Sequence, residues 1–270
     1  MGNIIRMTTI VTAYFKLEKS KVNHETYDNW MNNMLIIQSP MVIFCDKNSV
    51  EMIQNKRNPN LPTKIIPIEF TEFFCYNYFQ QFEIDYETKD HEKYHNPHLY
   101  LIWNEKTHFL KMAAEMNVFF TQFFLWVDIG CFREKNTTMI HWPNAEKIPT
   151  DKLLLLSVYP FTEEEYNINK IEDLPDFIHS NGKIGGTIFG GTLQSILTWH
   201  QHYYHMLESF IKMDRFIGKD QNIMSSVAII YKDTVELISS REDLYNRWFY
   251  LQLYLSYPQI QNPFKRMIFT

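Results

Sequence analysis

The chain has 270 residues, 45% of them hydrophobic and 21% charged, which suffices for one large core or one core with a small appendage. A net charge of −5 removes the electrostatic case for a nucleic-acid partner and matches an anionic membrane surface poorly. No apolar window approaches the roughly 20 residues of a transmembrane helix, so no membrane span is expected.

The 21 Phe, 16 Tyr and 6 Trp form an unusually aromatic set, most of it needed for the core and some of it able to stack on a sugar or a base. Cys45, Cys75 and Cys131 are odd in number and lack metal-ligand spacing. The opening residues 1–15 show no signal-peptide cleavage region. Together these point to a reducing compartment, and the expected location is cytoplasmic.

The first strand is expected over Thr8–Phe15, a β-branched and aromatic run. A helix follows over Asn23–Ile37, with Tyr27, Trp30, Met31, Met34 and Leu35 on one face and Asn23 as N-cap. Pro40 ends it, and Met41–Cys45 forms a second strand closed by Asp46. Ser49–Lys56 suits a helix and Lys64–Ile68 a third strand. This alternation predicts parallel pairing in a doubly wound sheet. The aromatic segment 70–82 reads as a helix, and the charged segment 83–98 as a surface loop folding over a cleft. His91, His95 and His98 fall in that loop and read as loop residues, not metal ligands. A further helix runs from Leu99 to about Asn117, burying Trp103, Leu110, Ala113 and Ala114 and carrying Lys106 and His108.

Phe123–Val127 is a five-residue apolar run, read as a strand buried on both faces. It delivers Asp128, then Gly130, then Arg133. A charge at the end of a buried strand costs several kcal/mol unless it is paired, hydrogen-bonded or metal-bound. Ligands of open α/β sheets sit at that end of the strands. Asp128 is therefore a candidate ligand- or metal-binding position; the alternative is an Asp that only caps the turn.

Leu153–Leu156 reads as another interior strand and 159–181 as a solvated loop. Five of the eight glycines fall within 182–191 (Gly182, Gly185, Gly186, Gly190 and Gly191). They mark either a tight hairpin or strand bend, or a place where a ligand meets backbone. A helix over Leu193–Lys212 follows. Gly218 makes a turn, after which Asp220 and Gln221 open a helix to about Val227. The helix dipole alone favours Asp there; the functional reading aims both side chains into the Asp128 cleft. No internal repeat is visible, so residues 1–270 parse as one domain.

The segments TAYF (12–15), VIFCD (42–46), WNEKTHF (103–109), FLWVDIGCFR (124–133), GGTIFGG (185–191) and GKDQN (218–222) resemble the HtrL/YibB family from about Thr8 to about Trp248. Members of that family look like glycosyltransferases of the GT-A type. The resemblance implies a GT-A-like, Rossmann-like α/β domain with a mostly parallel central sheet flanked by helices. It implies a UDP- or GDP-sugar donor lying across the strand ends, and a glycan, lipid-linked or protein acceptor. Thr12, Ala13 and Tyr14 would meet the nucleotide, and Asp46 the base or ribose. Asp128 matches the first acid of a DxD element holding manganese or magnesium on the diphosphate. Gly130 stands at its third position, leaving one acid of two, so Lys106 or Arg133 is the alternative source of positive charge. Gly190 and Gly191 match a donor-sugar segment, and Asp220 with Gln221 the catalytic or sugar-contacting pair. The second reading is a non-catalytic nucleotide- or sugar-binding protein with a degenerate site. A hydrolase is a weak third reading, because no nucleophile elbow is present.

Overall fold

The computed structural model describes residues 7–17, 21–90, 92, 94–135, 139–175 and 182–257. His91 and the end of the 159–181 loop lie outside them.

The chain opens with β1 (Thr8–Tyr14), α1 (His24–Leu35), β2 (Met41–Cys45), α2 (Val50–Lys56) and β3 (Thr63–Pro67). Asn23 caps α1 by accepting from the Thr26 amide at 2.8 Å. β1 and β2 pair in parallel with Ile10 opposite Met41, and β2 and β3 with Met41 opposite Thr63. After α3 (Phe79–Thr88) and α4 (Pro97–Met116), β4 (Phe123–Val127) joins the other side of β1, also in parallel. The remaining elements are β5 (Leu153–Ser157), α5 (Glu163–Tyr166), β6 (Ile184–Gly191), α6 (Leu193–Lys212), α7 (Asp220–Ile230), β7 (Val235–Ser239) and α8 (Tyr250–Tyr254). They complete one seven-stranded sheet in the order β3-β2-β1-β4-β6-β5-β7. Only β6 runs antiparallel to its neighbours β4 and β5. This single α/β domain has the mostly parallel, helix-flanked sheet that the sequence resemblance implies.

Strand alternation divides the core between the two faces. On β4, Phe124 and Trp126 join a cluster with Phe109 and Leu110 of α4 and Trp199 of α6. Phe123, Leu125 and Val127 join the opposite cluster, with Met31 and Met34 of α1. All five β4 side chains are at most 2% exposed, each worth about 1.5–3 kcal/mol of burial. A strand buried this fully can end in a carboxylate only if that carboxylate finds partners.

Three expectations are corrected. Segment 70–82 is not one helix: two 3-10 turns (Phe70–Glu72 and Phe74–Tyr78) precede α3. The buried Glu105 carboxylate draws the Phe74 and Cys75 amides to itself at 2.9 Å each, away from helical pairing. Residues 83–88 belong to α3 and are not loop, and Asp85 there is fully buried. The glycine run is not a hairpin: four of its glycines lie in the strand β6, whose register against β5 is irregular between Leu154 and Leu156. Its glycines let it press against β4: a Cβ on Gly190, at φ +156°, would lie 2.1 Å from the Phe124 carbonyl oxygen.

Candidate active site

A cavity of about 620 Å³ opens where β1 and β4 end and α7 begins. Its floor is an acid–lysine–acid cluster. Asp128 follows β4, and its own amide donates to the Thr187 carbonyl at 2.8 Å, tying the strand end to β6. Its carboxylate does not cap the following turn; the Cys131 amide bonds its main-chain oxygen instead, at 2.9 Å. Oδ1 accepts from the Trp126 indole at 2.8 Å and lies 3.1 Å from Lys106 Nζ. The same ammonium lies 2.9 Å from Asp220 Oδ2 and donates to the Gly186 carbonyl at 3.2 Å. Lys106 projects from the middle of α4 and is 5% exposed.

One cation thus serves two carboxylates. Burial alone would lower the Lys106 ammonium, but Asp128 and Asp220 outweigh it and hold it above its ordinary value. Burial pushes the Asp128 carboxyl up; Lys106 and the Trp126 indole oppose this, and Asp220 adds to it. Burial, with Asp220 adding to it, outweighs the pull of Lys106 and the indole and leaves the Asp128 carboxyl above its ordinary value. Asp220 Oδ2 is buried, and although charge-paired it has no well-aligned hydrogen bond among the described atoms.

Asp220 is placed by residues that no sequence pattern announced. The Ile217 amide donates to the buried Asp85 Oδ2 at 2.8 Å. The Asn104 amide group reaches the Ile217 and Gly218 carbonyls, each at 3.3 Å, and Tyr203 donates to Asn104 Oδ1 at 2.8 Å. These bonds hold the turn that opens α7. On the rim, the Arg133 guanidinium stacks 4.5 Å above Trp30 and 4.6 Å above Phe249. His95 also lines the cavity, its ring edge-on to Trp103 at 5.0 Å. Asp90 Oδ2 lies 2.6 Å from both His95 Nδ1 and the Tyr100 hydroxyl. Burial alone would raise the Asp90 carboxyl, but bonds from Tyr100 and His95 hold it below its ordinary value.

Ala13, Tyr14, Lys106, Asp128, Gly130, Arg133, Asp220 and Gln221 all line this cavity. Four expected positions do not, and their placement is corrected. Thr12 is fully buried inside β1. Asp46 caps the turn before α2, accepting from the Ser49 amide at 3.0 Å and its hydroxyl at 2.8 Å. Gly190 presses on β4, and Gly191 packs against Ser195 of α6.

The residues present do not fit a divalent metal. Lys106 already lies between the two acids, and the third position of the element is Gly130, where a Cβ would be tight against the Tyr27 ring at 3.1 Å. Among the described residues no group of three or more His, Cys, Asp or Glu side chains is arranged to hold an ion.

Fold and site together define an α/β domain with a paired-acid ligand site at its strand ends. The family model described as "Bacterial protein of unknown function (HtrL_YibB)" matches residues 6–251, and the chain belongs to that family. Protein HtrL of Escherichia coli (strain K12) is 24% identical over 277 aligned positions, covering 88% of this chain and 86% of that protein. The apo crystal structure of mouse xyloside xylosyltransferase 1 is similar at 8% identity, over 85% of this chain and 84% of that one, with a TM-score of 0.46. Among the described residues, no helix is long and apolar enough to cross a membrane.

Proposed function

We propose that this protein is a glycosyltransferase moving a sugar from a UDP- or GDP-sugar to a hydroxyl of a glycan, lipid-linked or protein acceptor. The observation that carries the reading is the Asp128–Lys106–Asp220 cluster on the floor of an aromatic-walled cavity. It lies where the sequence resemblance to GT-A enzymes puts the donor. Ala13 and Tyr14 at the end of β1 suit the nucleotide, and the aromatic walls suit a base or sugar face. In the transfer, the bond from C1 to the phosphate oxygen breaks and its electron pair leaves with the nucleoside diphosphate. A bond from C1 to the acceptor oxygen forms, and the hydroxyl proton passes to a carboxylate, for which Asp220 is the candidate. Gln221, beside it on the wall, suits contact with the sugar. The three cysteines are buried free thiols, which accords with a cytoplasmic location.

A panel of UDP- and GDP-sugars, assayed for release of nucleoside diphosphate with and without simple sugar acceptors, tests the reading. Turnover that Asp220→Asn removes supports it. Calorimetric binding without any turnover would point to the non-catalytic binding protein, which the lone acid of the DxD position favours. No binding of any nucleotide sugar overturns both.

A further inference from the structure

The cavity collects cations that no described carboxylate neutralises. Lys16, Lys21, Arg133 and Lys219 line it, and among the described residues no carboxylate pairs with any of the four. Adding Lys106, five Lys and Arg side chains among the described lining residues stand with three acids (Glu92, Asp128 and Asp220), a balance of 5 − 3 = +2 in a chain of net charge −5. Such a cavity is built for an anion.

Arg133 is the most specific of these cations. Its guanidinium carbon lies over both the Trp30 and the Phe249 rings, 4.5 and 4.6 Å from their centroids. Contact with two rings restrains the guanidinium while using none of its N–H donors. A planar fork of donors matches two oxygens of a phosphate, which a lysine cannot do. The divalent ion that would otherwise screen a diphosphate has no place to sit. The space between Asp128 and Asp220 holds the Lys106 ammonium, and Gly130 supplies no second carboxylate.

We propose that this site binds the diphosphate of its ligand directly on side-chain cations, Arg133 foremost, without a divalent metal. The inference rests on the nucleotide-sugar reading. Lys106 then orders the two acids, and the rim cations carry the phosphates.

Titration calorimetry of UDP and GDP into protein dialysed against EDTA, and again with excess manganese, tests it. The expected dissociation constants agree within about threefold between the two conditions. Arg133→Ala should weaken binding by about 10- to 100-fold, as loss of a charge-assisted bidentate contact does. Arg133→Lys should recover only part of it. The free-manganese electron paramagnetic resonance signal should be undiminished by the protein. Binding seen only with manganese, or unchanged affinity in Arg133→Ala of wild-type thermal midpoint, overturns this inference and leaves the nucleotide-sugar reading standing. Failure of both nucleotides in both conditions overturns the nucleotide-sugar reading and this inference with it.

Discussion

Gly186 and Asp220 meet where β6 passes the start of α7, and the missing side chain of the one makes room for the carboxylate of the other. A Cβ on Gly186 would lie 2.7 Å from Asp220 Oδ2 and 3.4 Å from Met224 Sδ. The Gly186 carbonyl meanwhile accepts from Lys106 at 3.2 Å, so a single residue sets the positions of both charged partners. Gly186→Ala should push Asp220 off the lysine. Displacement of a reacting group by about 1 Å costs on the order of 100-fold in rate. The expected result is a turnover number lowered by about that factor, with UDP affinity changed far less. Separate kcat and binding measurements check this, and equal losses in both would show that the change is not local to Asp220.

Lys106 is the counter-ion of a buried cluster, so removing it should be costly. Lys106→Met leaves Asp128 and Asp220 with no cation between them, and breaking a buried pair this way destabilises by about 3–5 kcal/mol. The loss should shrink when Asp220→Asn is added, because one unpaired charge is then removed. It should also shrink with acid, since the Asp128 carboxyl, which burial pushes up, is protonated more readily in the folded state than in the unfolded chain. Urea denaturation of the single and double variants at pH 5 and pH 8 measures both effects.

The buried Glu105 predicts a pH dependence of stability. Burial raises its carboxyl from 4.5 to about 7, against the opposing pull of the Cys75 and Phe74 amides. The folded value exceeds the unfolded one, so its stabilising contribution is fully present below about pH 4.5 and fades as pH rises through 7. The span is of order 3 kcal/mol at most. Wild-type protein should therefore lose stability between pH 5 and pH 8. Glu105→Gln, which cannot ionise but still offers an acceptor, should lose distinctly less. Parallel slopes for the two proteins would remove Glu105 as the cause.

The sheet was legible because its strands are short, apolar and closed by punctuation: Met41–Cys45 stops at Asp46, and Phe123–Val127 at Asp128. Asp128 and Asp220 were legible as charges at element ends. The glycines were noticed for the right property, and their uses divide: Gly182 and Gly186 line the cavity, whereas Gly190 and Gly191 do not. Gly190 lets backbone meet backbone, and Gly186, on the cavity wall, lets the Asp220 carboxylate approach the backbone. β7 went unseen because it is an edge strand, paired only with β5 and mostly half-exposed, so its apolar signal is weak. Asp85 and His95 were missed for a common reason. Both lie in a segment whose charge reads as solvated, and only partners distant in sequence, or a cavity wall, give those side chains a place. Asp46 shows the converse error: a strand-end acid that answers to its own turn.

Asp85 offers the last test, because it links the folding of α3 to the position of Asp220. Its Oδ2 accepts from the Ile217 amide at 2.8 Å, across 132 residues of sequence, while Oδ1 lies 3.0 Å from both Lys89 Nζ and Gln81 Nε2. Asp85 is fully buried, so Asp85→Ala strands the Ile217 N–H without a partner, at about 1–3 kcal/mol, in addition to the lost ion pair. Asp85→Asn keeps an acceptor for that amide and should cost less. The effect on the site should be local: faster hydrogen exchange at Ile217 and Gly218, then a lower turnover number, because the turn that aims Asp220 is no longer held. Distant β2 amides should exchange as before in Asp85→Asn. If Asp85→Ala lowers the melting temperature but leaves exchange at Ile217 unchanged, Asp85 serves α3 alone and the link to Asp220 is broken.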